Sequence, residues 1–266
     1  MNKKLLLSHE EYCNLPQIIL DKVPYAFSLQ NNRQVFCYFG CNHTNDINHP
    51  QFNLLHDEWL IFLKTLHSKK TIVFYEGNVN EKHMSTWEES IKNFGESGAV
   101  VFLANKANIP IYRPEPTIEY ESTELLKEYS KDELYCFYMI RGIVSWQRKT
   151  ERTDFGYFIE RNIKRYKDAL MWKEFDFSFE NITKIYKKIF NKDFTLDDKE
   201  FLRRAVAATY YVSSLNEISR QSIKIRDFFI LENIGKYWKE GYNIFIVYGS
   251  LHAKMQERAI REMTEG

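Results

Sequence analysis

Cysteine is scarce. Cys13, Cys37, Cys41 and Cys136 are the only four in 266 residues, and no C-x-x-C pair occurs. A zinc knuckle or a thioredoxin-type redox motif is therefore unsupported, and each cysteine reads as a buried, reduced thiol. No apolar run is long enough to span a bilayer. The opening MNKKLLLSHEE has three leucines before polar residues return, too few for a signal-peptide core, so a reducing, cytoplasmic setting is expected. A dominant charge sign is missing too: 37 Lys and Arg against 36 Asp and Glu leave a net charge of +1. The whole molecule thus makes no electrostatic case for nucleic acid or a membrane surface. A P-loop, a Rossmann fingerprint, a G-x-S-x-G elbow, an H-E-x-x-H helix, internal repeats and low-complexity linkers are all absent.

What is present is an ordinary globular balance, 44% hydrophobic and 27% charged, at a length that suits one large domain or two small ones. QVFCYFG, Gln34 to Gly40, reads as a strand closed by glycine, and PYAFSLQ, across Asn31-Asn32, as its hairpin partner. QFNLLHDEWLIFLKTLH carries apolar residues at helical spacing and should end at Ser68-Lys69-Lys70. TIVFYEG and YNIFIVYG are continuous apolar runs, the pattern of strands buried on both faces in a parallel sheet. STWEESIKNF predicts a helix with Ser85 and Glu88 as a capping box. ESGAVVFLANKAN is assigned to helix despite its valines, because Ala99, Leu103 and Ala107 give a repeated face, and IPIYRPEP after it to strand.

From Glu119 to Ser214 glycine is rare and long helical periodicities dominate. SIKIRDFFILENIGKYWKEG then predicts a helix stopped by Gly241, and SLHAKMQERAIREM a closing helix capped by Ser250. This order predicts an α/β fold: one domain over 1–266, a mostly parallel central sheet flanked by helices, and a helical insertion over 119–214.

Three of the expected strands finish alike. VFCYFG is followed by Cys41-Asn42-His43, TIVFYEG ends in Glu76-Gly77, and IFIVYG is followed by Ser250-Leu251-His252. Parallel sheets bind ligands outside the carboxyl ends of their strands, so His43, Glu76 and His252 should converge if these strands are neighbours. Both histidines follow the spacing G-x-x-H, where the glycine can turn the chain sharply or let another group come close. His252 would lie in a first helical turn, where the dipole favours the neutral imidazole that binds metal or takes a proton. Two histidines and a carboxylate can hold a catalytic divalent metal such as Mn²⁺, Co²⁺ or Zn²⁺. They can also work without one, as a general base with its orienting carboxylate. The plainer reading of either G-x-x-H is a structural loop histidine. Asp46 and His49 are second-rank candidates, pocket lining or an ordinary polar turn. His56, His67 and His83 have no partner pattern and read as ordinary.

YFGCNH and VYGSLH, with FYEG, FGESGA and KIRDFF in order between them, resemble the TraB/Tiki/erythromycin-esterase/ChaN-like superfamily. Its members share two G-x-x-H motifs, a pair of glutamates and an arginine. The resemblance runs from Gly40 to His252 and leaves the block from Glu119 to Ser214 unmatched. It implies an α/β hydrolase-like enzyme acting on an ester or amide bond. The group includes metal-dependent proteases, esterases that act without metal, and members proposed to bind iron or haem. By position, the resemblance makes His43 and His252 the motif histidines, Glu76 the first glutamate, Glu96 the second with Glu115 as competitor, and Arg226 the arginine. It implies His43, Glu76, Glu96, Arg226 and His252 as catalytic residues, with His43, Glu76 and His252 as the ligands of any metal.

The first motif continues as TNDINHPQF, more polar than the apolar tail of the protease members, which weighs against peptide cleavage. Read as bare residues, Arg226 is a surface or salt-bridging arginine opening a helix, and Glu96 a favourable helix-start charge. The expected partner is a small-molecule or peptide substrate. RKTER and RNIKRYKD read as solvated faces, so neither nucleic acid nor a membrane is expected. The alternatives are a non-catalytic protein holding a metal, haem or small anion on the same scaffold, or an interaction domain with a relic site.

Overall fold

The computed structural model describes residues 5–31, 33–66, 70–80, 84–148 and 152–265. Asn32, His67, Ser68, Lys69, His83 and the middle of RKTER, on which some expectations rest, lie outside the described residues. Residues Met1–Glu115 and Asp227–Gly266 form one compact unit, and Pro116–Arg226 a second.

The first unit begins with two short helices, α1 (His9–Cys13) and α2 (Gln17–Leu20). The strands β1 (Tyr25–Gln30) and β2 (Val35–Cys41) then pair as an antiparallel hairpin. Asn31 supports its turn, its Oδ1 accepting from the backbone N–H groups of Arg33 and Gln34. Next come α3 (Gln51–Thr65), β3 (Thr71–Tyr75), α4 (Trp87–Lys106) and the two-residue β4 (Ile111–Tyr112). β4 is shorter than IPIYRPEP suggested, because Pro110 and Pro114 flank it and carry no N–H for a ladder.

The five-stranded sheet has the order β1-β2-β5-β3-β4, where β5 is Asn243–Gly249. Every pair except β1–β2 is parallel, so the fold class is α/β with a mostly parallel sheet flanked by helices. β2 and β5 are buried at every position, which is why their sequences do not alternate. One face packs Val35, Cys37 and Phe39 of β2 and Phe245 of β5 against Leu55, Trp59 and Phe62 of α3 and Val100 of α4. Trp59 stands edge-on to Phe245 at 5.1 Å between centroids. Burying each such side chain stabilises by about 1.5–3 kcal/mol. On the other face Trp238 and Tyr237 pack edge-on to Phe36 and Phe74, and α11 (Ser250–Glu265) lies along β1, β2 and β5.

Three local readings need correction. STWEE offers two overlapping spacings, and the cap falls on the second: Thr86 caps α4, its Oγ1 accepting from Glu89 N at 3.1 Å, while the Glu89 carboxylate accepts from Ser85 rather than closing a reciprocal box on Thr86. α11 starts at Ser250 itself, which leaves His252 in the first turn. Cys13 is exposed rather than buried, because α1 is a single short helix near the surface; its Sγ lies 3.4 Å from His9 Nε2.

The second unit holds α5 (Ile118–Leu125), α6 (Lys131–Gln147), α7 (Phe155–Leu170), α8 (Phe179–Phe190) and α9 (Lys199–Val206), together with the first part of α10 (Ser214–Lys239). α6 is its centre, with Leu134 to Ile140 buried without interruption, as a helix surrounded by others must be. Ser130 and Glu133 form its capping box. α7 turns Ile159, Tyr166 and Leu170 inward and leaves Arg161, Lys164, Arg165 and Lys167 exposed, so that basic run is a solvated face. No helix among the described residues is long and apolar enough to cross a membrane.

At the amino edge of the sheet, fully buried Asn243 joins β5 to both neighbours. Its Oδ1 accepts from Val35 N at 2.9 Å, and its Nδ2 donates to Thr71 Oγ1 at 3.3 Å. Asn243→Ala would strand the Val35 N–H in the core. An equilibrium urea titration should show a loss of about 1–3 kcal/mol at unchanged m-value.

Candidate functional site

The site is built by register. β5 lies between β2 and β3, pairing Cys41 with Gly249 on one side and Tyr75 with Val247 on the other. The residues that follow these positions therefore leave the sheet at one edge. Glu76 N donates to Val247 O at 3.2 Å, extending the ladder by one bond, and Gly77 then turns the chain away at φ +84°. The Glu76 carboxylate stays behind. Its Oε2 accepts from Gly249 N at 2.9 Å and lies 3.8 Å from His43 Nε2, while its Oε1 lies 3.9 Å from His252 Nε2. Glu76 thus stands between both motif histidines.

Each imidazole is held from behind by a second carboxylate. His43 Nδ1 lies 2.5 Å from Glu96 Oε1, and His252 Nδ1 lies 2.6 Å from Asp227 Oδ1. The two rings differ in environment: the His43 side chain is 62% exposed, the His252 side chain 8%. His252 also meets the ring of Tyr248 edge-on, with centroids 6.0 Å apart.

The motif glycines act by making room, not by turning. Neither Gly40 nor Gly249 has a positive φ. A Cβ on Gly249 would lie 2.9 Å from His43 Nε2, and one on Gly40 would lie 2.7 Å from the Ala253 Cβ of α11. The glycine that supplies an unusual backbone is Gly95, at φ 60° and ψ −140°, which breaks α4 and restarts it at Glu96. Its missing Cβ also admits Thr44 O from the His43 loop, which would otherwise be 2.8 Å away. Glu96 is both the start of a helical segment and the partner of His43. Glu115, the competing glutamate, lies just beyond β4.

The start of the His43 loop is clasped by buried Gln51, which accepts from Asn42 N at 2.9 Å and donates to Asn42 O at 2.7 Å. Asp46 and His49 do turn work: Asp46 Oδ1 accepts from Asn48 N and His49 Nδ1 from Gln51 N. The exposed His56 pairs edge-on with Trp87. Arg226 lies in the middle of α10 rather than opening a helix, and is half-buried. Its neighbour Asp227 is the residue that meets His252. Asp227 was missed, although a lone acid between Ile225 and Phe228-Phe229-Ile230 was a signal of a buried charge.

Cys41, His43 and Glu96 form a group whose potential ligand atoms all lie within 4.8 Å of one another. Glu96 Oε1 is already at hydrogen-bond distance from His43, and the Cys41 thiol donates to Tyr248 O at 3.2 Å. Burial, reinforced by Glu96 and Glu76, pushes the Cys41 thiol well up, so a cation bound here would have to displace its proton. Burial and nearby Asp227 also push the Tyr38 phenol well up.

Gly95→Ala should cost about 1–3 kcal/mol or more from backbone strain alone, read as a lowered urea midpoint. The native protein should show one fast thiol towards Ellman's reagent, Cys13, against four after unfolding in guanidinium. Cys37 and Cys136 are buried with thiols pushed up to about 12, and the same burial pushes the Cys41 thiol well up.

No protein-family model, curated protein or solved structure matches this chain.

Proposed function

We propose that this chain is a hydrolase of an ester or amide bond, with His43 as the base that activates water. The observation that carries the reading is the pair of carboxylate-backed imidazoles whose Nε2 atoms both face Glu76, at 3.8 and 3.9 Å. Glu96 accepts from His43 Nδ1–H, which leaves the lone pair on Nε2 of a largely exposed side chain. A water there gives its proton to His43 Nε2 as its oxygen attacks the carbonyl carbon. The same proton then passes to the leaving alkoxide or amine as the C–O or C–N bond breaks, giving an acid and an alcohol or amine. Glu76, held by Gly249 N–H, stabilises the imidazolium between these steps. Arg226, the arginine of the resemblance, would stabilise the developing negative charge.

A divalent cation is the alternative activator. The gaps of 3.8 and 3.9 Å run from different oxygens of Glu76, so an ion shared by both histidines would require these side chains to draw together, whereas the ligand atoms of Cys41, His43 and Glu96 already lie within 4.8 Å of one another. His43, Glu76 and His252 would be the ligands, with Glu96 and Asp227 as the carboxylates that orient the rings. Mn²⁺, Co²⁺ or Zn²⁺, when bound, would supply a water acidic enough to ionise near neutral pH. That donor set equally serves a protein that binds metal without turnover, and this is the second reading. A cytoplasmic setting, supported by four free thiols, and a small-molecule or peptide substrate complete the proposal.

A panel of ester and amide substrates, assayed with and without each metal, tests it. His43→Ala and Glu76→Gln should each lower the activity found by about 10²–10⁴-fold while leaving the circular dichroism spectrum native. If His43→Ala leaves every hydrolysis unchanged, the hydrolase reading is wrong. Metal analysis of the purified protein then separates a metal-binding protein from a metal-free one.

A further inference from the structure

We propose that Asp227 is a positioning residue that holds His252 in the tautomer with the proton on Nδ1, so that Nε2 meets Glu76 as a bare lone pair. Its importance for turnover rests on the hydrolase reading; the tautomer itself does not. Two carboxylates compete for the single ring proton of neutral His252. Asp227 Oδ1 is 2.6 Å from Nδ1, whereas Glu76 Oε1 is 3.9 Å from Nε2, beyond hydrogen-bond reach. A carboxylate only accepts, so the close partner takes the proton-bearing nitrogen and the distant one is left facing the lone pair. Without Asp227 that competition reverses. The proton would sit on Nε2 and point at Glu76, and the ring could then neither bind an ion nor receive a proton there.

Asp227 is itself oriented. Gln256, one turn after His252 on α11, donates from Nε2 to the same Oδ1 at 2.6 Å. The other end of that amide accepts from Tyr38 OH at 3.2 Å, and since a phenol donates readily to a carbonyl oxygen, this fixes which way the amide lies. The line Tyr38–Gln256–Asp227–His252 is sealed, with Tyr38, Gln256 and Asp227 fully buried and His252 6% exposed. Both donors converge on Oδ1, while Oδ2 has no hydrogen-bond partner among the described residues. A buried carboxylate satisfied on one oxygen only is a poor device for stability, since an apolar side chain on α10 would avoid the desolvation cost. It is an effective device for holding one nitrogen of one ring.

The test is a two-bond ¹H–¹⁵N correlation spectrum of protein labelled with ¹⁵N-histidine, recorded at pH 8, with the ring assigned through His252→Gln. In the wild-type protein His252 should show a protonated Nδ1 and a bare Nε2. Asp227→Ala should lose that pattern, with the proton moving to Nε2, while His43, held by Glu96, keeps its own. A wild-type His252 protonated on Nε2, as that tautomer or as imidazolium, overturns the proposal. So does a folded Asp227→Ala that retains the wild-type pattern. Should Asp227→Ala fail to fold, the wild-type spectrum decides. No substrate enters the measurement, so its failure is separate from failure of the hydrolase screen.

Discussion

β5 is paired in parallel on both sides, Cys41 beside Gly249 and Tyr75 beside Val247, and that register decides where three segments leave the sheet. A slip of one residue would turn every side chain of a strand to the opposite face. Such a slip is resisted by burial along all of β2 and β5 and, at the far edge, by Asn243 bonding to both neighbours. Glu76 can remain beside Gly249, rather than following its backbone away, because the Gly249 N–H holds its carboxylate. Everything else in the candidate site is arranged around that carboxylate.

The second organising principle is electrostatic. Glu76, Glu96 and Asp227 gather about two imidazoles, and like charges so placed are costly unless a proton or cation sits among them. The arrangement divides the carboxylates by task. Glu96 and Asp227 stand behind the rings at hydrogen-bond distance, and Glu76 stands in front of both at a distance too long for a hydrogen bond. That spacing is what supports the proposed water activation. The difference in exposure between His43 and His252 further suits the first to exchange protons with solvent and the second to remain fixed.

Much of this was legible along the chain, for identifiable reasons. Continuous apolar runs marked β3 and β5, because a strand buried on both faces has no reason to alternate. ESGAVVFLANKAN is helical despite its valines, since the repeated Ala99–Leu103 face packs on the sheet. The cap of α4 was misplaced by one residue because STWEE offers two spacings with the same local chemistry. IPIYRPEP yielded only two strand residues because its prolines interrupt the ladder. The motif glycines stand out in the sequence, but their use is packing space for His43 and Ala253, a fact about neighbours distant in sequence.

The sequence by itself determined the α/β order of elements and placed His43, Glu76 and His252 at strand ends, because those features follow from local periodicity and from where apolar runs stop. Tertiary structure alone decided which carboxylate backs which ring. Glu96 reaches His43 through the break at Gly95, and Asp227 reaches His252 from α10, not from the neighbouring Arg226 position that the motif had marked. A hydrogen bond between elements depends on how their faces meet. Hydrophobic spacing records that a face is buried, but not which polar atom will be found opposite.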